Sequence, residues 1–169
     1  PCANYGRLLM CPPHSMDADE TRKLLKNYRY ALLLRNEAEA EEIVGFEVYE
    51  KKPYRAKYSV PLHEVINQLE AEAFYMGYYY ALGLKSGPCL LCAKEVYENK
   101  GEWPKSLPCI AIKSGVCKHP LKARPCLEAV GIDVYATANN AGWPIYVVGI
   151  RSDPKQIPCV GFHGLLLTC

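Results

Sequence analysis

The sequence predicts an α/β or α+β fold, a single compact sandwich with a cysteine-rich metal-binding loop, on three observations. Stretches of helical periodicity are interleaved with short apolar runs of strand length. Half of the 169 residues are hydrophobic and 22% are charged, the composition of an ordinary globular chain. Nine residues are cysteine, and five of them lie between Cys89 and Cys126. At this length one domain is expected, residues 1–169 forming a single metal-binding unit.

The elements follow in order. Asp17 to Tyr28 carries acids in its first turn and bases later, which suits a helix and its dipole. Tyr30 to Leu34 is an apolar run that reads as a buried strand. The charged stretch from Arg35 to Ser59 reads as a surface connection or short helix. A second helix is expected from Pro61, a residue suited to a first helical position, to Met76, with Leu62, Val65, Ile66, Leu69, Ala73 and Met76 forming its core stripe. Tyr78 to Leu84 either extends it or opens a strand, and Lys85-Ser86-Gly87-Pro88-Cys89 breaks any regular element. Short helices are expected at Leu121 to Val130 and Asp133 to Ala141, ended by Gly131 and Gly142, and strands at Ile145 to Ile150 and Cys159 to Thr168. There is no internal repeat.

Several functions are disfavoured. The 20 basic and 18 acidic residues are interspersed and sum to +2, so no electrostatic footprint for nucleic acid stands out. No apolar run reaches the roughly 18 residues that span a bilayer, so no membrane partner is expected. Glycine-rich phosphate loops, nucleophile elbows and paired zinc-histidine helices are missing from the sequence. The first residue is Pro1 and no signal peptide follows, so the chain reads as truncated at its N-terminus.

Clustered cysteines argue for metal. A chain of this size and apolar content does not need disulfide staples. Cys89 and Cys92 form a Cys-x-x-Cys pair after the Gly87-Pro88 turn, where two thiolates can face one metal. Such a pair could equally be a redox dithiol, but those open a helix in a thioredoxin-like unit that the pattern does not show. Cys109 and Cys117 lie in turn-rich settings and can return to the same point, completing four thiolates, with Pro108 fixing the approach of Cys109 along the long segment Ala93 to Val116. Cys2 and Cys11 flank Gly6, and Pro12-Pro13 fixes the path after Cys11; they are candidate ligands, a disulfide, or buried thiols. His119 stands near Cys117 as a ligand, a supporting donor or an exposed loop residue, whereas His163 reads as a core histidine. Arg124 and Glu128 are spaced for an i,i+4 ion pair.

The runs Cys2-x-x-Tyr5-Gly6-Arg7, Cys11-Pro12-Pro13, Ala73-Phe74 with Gly77-Tyr78, Gly87-Pro88-Cys89 with Cys92, Cys117-x-His119-Pro120, Ala123-Arg124-Pro125, Glu128-Ala129 and Gly131-Ile132-Asp133-Val134 together resemble an uncharacterised family. It is catalogued as domain of unknown function 2284 and described as predicted metal-binding proteins. The resemblance implies metal binding over nearly the whole chain, without implying an activity. It also implies a cysteine ahead of Cys2, a third cysteine where this chain has Glu95, and serine where it has Cys126, so that Cys126 reads as a ligand or a small buried residue.

Four functions compete. The first is an iron–sulfur protein, with a 4Fe-4S cluster on Cys89, Cys92, Cys109 and Cys117 and a further centre involving Cys2 and Cys11, acting in electron transfer with a redox partner protein. The second is an enzyme whose cluster keeps an open iron for sulfur chemistry. The third is a structural zinc module, because thiolate softness and spacing do not separate zinc from iron. The fourth keeps the cysteines as disulfides, which requires an oxidising compartment or a hyperthermophile's cytosol; metal ligation goes with a cytoplasmic setting.

Overall fold

The computed structural model describes residues 2–50, 55–106 and 109–169. Its centre is a three-stranded antiparallel sheet in the order β1-β3-β2, with β1 at Tyr30–Ala38, β2 at Leu82–Leu84 and β3 at Val160–Thr168. Helices α1 (Ala18–Leu25), α2 (Ala40–Ile43), α3 (Phe46–Glu50), α4 (Ala56–Tyr75), α5 (Leu91–Lys100), α6 (Ala111–Ser114) and α7 (Val134–Asn140) surround it. The antiparallel pairing makes this an α+β arrangement rather than a parallel α/β one.

The last apolar run becomes the central strand because both of its faces are covered. Val160 and Phe162 pack with Leu62 and Ile66 of α4 and with Ala38, Ala40, Ile43 and Val44. Leu165 and Leu167 point the other way, onto Leu84, Leu127 and Val130. Ile66 is fully buried, which contributes on the order of 2–3 kcal/mol. Gly164 and Gly83 let α4 lie close on the sheet, since a Cβ at either position would collide with Ile66.

Several expectations change. Tyr30 to Leu34 is a strand, but it lies on the sheet edge and its first half is exposed. The stretch after Arg35 is no mere surface link: β1 continues to Ala38, and Ala40, Ile43 and Val44 enter the core. The expected connection also covers residues 51–54, and the expected role of Pro108 falls at 107–108; both lie outside the described residues. Helix α4 begins ahead of Pro61, which sits inside it, while Val65 and Met76 of the expected stripe are exposed. Cys92 lies in the first turn of α5, which together with α6 occupies the segment read as a long loop. Leu121 to Val130 is not a helix; Pro125 disfavours helical geometry at Arg124, and only a 3-10 turn forms at Glu128–Val130. Ile145 to Ile150 joins no sheet. By contrast, α1 and α7 form where expected, and the structure adds their caps: Asp17 closes a full capping box on α1 and Asp133 caps α7.

Candidate metal centre

The site is assembled where β2 runs out. After Leu84, Lys85 pairs with Cys126 in an isolated parallel bridge, its amide donating to Pro125 O at 3.1 Å while Leu127 N donates to Lys85 O at 3.2 Å. The chain then turns through Gly87, whose φ of 65° suits glycine, into Cys89 and α5. The segment carrying Cys117 and Cys126 is tied to α4 at two points. His63 Nε2 donates to Lys122 O at 2.8 Å. Arg124 grips Glu70 with both Nε, at 2.8 Å, and its terminal nitrogen, and Glu70 also accepts from Gly83 N at 2.6 Å. Arg124 therefore pairs with Glu70 and not with Glu128, because its segment is not helical.

Cys89, Cys92, Cys109 and Cys117 line one narrow cavity of about 20 Å³, closed by Leu8, Leu9, Met10, Ala93, His119 and Ala123. These four are the residues grouped by sequence. Three of their sulfurs accept backbone amides: Leu9 N to Cys109 Sγ at 3.5 Å, His119 N to Cys117 Sγ at 3.4 Å, and the Leu91 amide to Cys89. Such N–H···S bonds stabilise thiolate character and tune a bound metal. Burial pushes the Cys89 thiol up, against the Leu91 amide and Lys85, and burial followed by Cys89 and Cys109 pushes Cys92 up. Neighbouring thiols resist ionising together, and a cation among them reverses that balance.

Cys2, Cys11 and Cys126 line a second cavity of about 310 Å³ with Asn4, Tyr5, Pro12, Gly87, Pro88, Glu128 and Ala129. The N-terminal loop reaches both cavities because it folds back on itself, Gly6 N donating to Pro12 O at 2.8 Å, with Leu8 buried as its anchor. Sequence reasoning left Cys126 undecided; the signal that could have found it was its place beside the Ala123-Arg124-Pro125 run, which breaks the helix expected to bury it. Burial and then Glu128 push its thiol up to about 11.

Beneath the Gly87-Pro88 turn lies Lys85, 2% exposed. Its Nζ donates to the carbonyls of Ser86 at 3.2 Å, Gly87 at 2.7 Å and Pro88 at 2.6 Å. Among the described residues no carboxylate forms an ion pair with it. Burial lowers its pKa, opposed first by Cys89, then Cys126 and Cys11. A buried ammonium is costly unless anions compensate it, and here the surrounding candidates are the sulfurs of Cys89, Cys126 and Cys11 and then the Glu128 carboxylate.

Of the other candidates, Cys159, Cys169 and His163 lie away from these two cavities. Cys159 Sγ accepts from Arg35 at 3.0 Å, and Cys169 is exposed beyond β3. His163 is buried in β3 with Nε2 unpartnered. His119 lies on the first cavity with Nε2 3.3 Å from Glu95 Oε1, too poorly aligned for a hydrogen bond, and Glu95 is also paired with Lys118. A surface groove of about 720 Å³ along α4 and α5 carries no cysteine. All nine cysteines are free thiols. Among the described residues no three His, Cys, Asp or Glu side chains converge tightly enough to hold a single ion, and no helix is long and apolar enough to cross a membrane.

No curated protein and no solved structure matches the chain. One family does match, over residues 1–167, so the chain belongs to the family described as predicted metal-binding protein (DUF2284).

Proposed function

We propose that Cys89, Cys92, Cys109 and Cys117 hold a 4Fe-4S cluster and that the protein carries electrons to or from a redox partner protein in the cytoplasm. The observation that carries this reading is the meeting of four thiols from three separate segments on one closed cavity, with amides donated to three of the sulfurs. The donor set is that of a cubane, whose thiolates sit on its corners rather than around one point. A bound cluster would supply one-electron redox chemistry. The chain's own part is to place the thiolates, aim amides at them, keep Lys85 beneath the Gly87-Pro88 turn, and seal the site with Leu8, Leu9 and Met10.

Zinc is the second reading, favoured by the small free volume between the thiols. Tetrahedral zinc, with Zn–S near 2.3 Å, needs its four sulfurs about 3.8 Å apart. The thiols of the described residues do not converge on one ion, so their spread favours the cluster. Substituting Cys109 tests the closed, four-thiolate form. Cys109→Ser should change the electron paramagnetic resonance spectrum of the reduced protein, and the unsubstituted protein should bind no added thiolate at iron. An unchanged spectrum together with thiolate binding would show an open iron and favour the enzyme reading instead.

A further inference from the structure

We infer that Cys2, Cys11 and Cys126 form a second, separate cluster site, resting on the reading that this chain binds clusters. Three independent features support it. First, Cys2 and Cys11 of the N-terminal loop and Cys126, more than a hundred residues further on, line one cavity, distinct from that of Cys89 and Cys92. Second, this group shares one feature of the first: Asn4 N donates to Cys2 Sγ at 3.5 Å, so a sulfur here also receives a backbone donor. Third, Gly87 and Pro88 line this cavity while the adjoining Cys89 lines the first, and Lys85 is buried against that turn with its Nζ donating to the carbonyls of Ser86, Gly87 and Pro88, so one buried lysine holds the turn that the two groups of sulfurs share.

The pairing of Lys85 with Cys126 fixes this arrangement in the backbone. That bridge holds Cys126 against Lys85, from which the chain turns into Cys89. Glu128 lies on the same cavity wall beside Cys126.

Counting iron and acid-labile sulfide in the anaerobically purified full chain tests the inference. The unsubstituted protein should hold about eight irons with matching sulfide, and Cys89→Ser/Cys92→Ser and Cys11→Ser/Cys126→Ser should each retain about four. Cys126→Ala, a minimal change checked for native circular dichroism, guards against misfolding of the double variants; a folded Cys126→Ala protein should lose part of its iron and keep the spectrum of the first cluster. About four irons in the unsubstituted protein, all lost with Cys89 and Cys92 and none lost with Cys11 and Cys126, would overturn the second site and leave the first standing. A protein with no sulfide in any variant would overturn the cluster reading itself.

Discussion

Replacing Arg124 should unfasten the cysteine-bearing segment from α4. Arg124 and Glu70 side chains are each 16% exposed, and the contact is two-pronged, so it is far less screened than a surface pair. Removing one partner of a fully buried pair costs roughly 3–5 kcal/mol, and the remaining exposure here reduces that to about 3 kcal/mol for Arg124→Met. Glu70→Leu should cost about 1 kcal/mol more, because the Gly83 amide loses its acceptor as well. Once Glu70 is gone, Arg124→Met should cost only about 1 kcal/mol, so a double-mutant cycle should give a coupling of about 2 kcal/mol. Urea unfolding followed by circular dichroism measures all four proteins. An Arg124→Met cost below about 1 kcal/mol, or additive single costs, would refute the view that this pair holds the segment in place.

Three further outcomes follow from the packing. His63 is buried and its pKa is pushed down to about 4, chiefly by burial, so the unfolded chain binds the proton more readily below its ordinary value of 6.5. Stability is therefore full above pH 6.5 and falls as the pH drops toward 4. The loss between pH 7.5 and 5 should be about 2 kcal/mol, and His63→Gln should flatten that slope in pH-dependent urea titrations. Gly164→Ala should destabilise by about 2 kcal/mol through collision with Ile66, and adding Ile66→Val should restore part of the loss, a non-additivity readable in thermal melts. Cys159→Ser and Cys169→Ser should retain all metal, whereas Cys89→Ser, Cys92→Ser and Cys117→Ser should each lose that of the first centre; full metal in the Cys92 variant would contradict the ligand assignment.

What the sequence disclosed was the fold class and the grouping of four thiols more than the packing that brings them together. Thiol grouping was legible because Cys89 and Cys92 share a turn and Cys109 and Cys117 stand near breaks. The order of charge along α1, acids in its first turn and bases in its last, was legible too. Non-local facts were not. Arg124 looked like a partner of Glu128 because a helix was assumed, and its true partner is 54 residues away. Helix α5 was hidden by the Gly-Pro turn before it and by weak amphipathicity, since only Ala93 is buried along it. Lys85 gave no sign of its burial, because a lysine in a Lys-Ser-Gly-Pro run reads as solvated until the fold closes over it. Cys126, open between ligand and small buried residue in the sequence, lines the cavity that Cys2 and Cys11 line.

The central claim is that the thiols of Cys89, Cys92, Cys109 and Cys117 bind iron and sulfide together. Metal and acid-labile sulfide analysis of anaerobically purified protein tests it most directly. The account predicts a brown protein with iron and sulfide in equal amounts, both falling when Cys92 is replaced by serine. Zinc without sulfide, or intact mass showing the cysteines paired as disulfides, would contradict it.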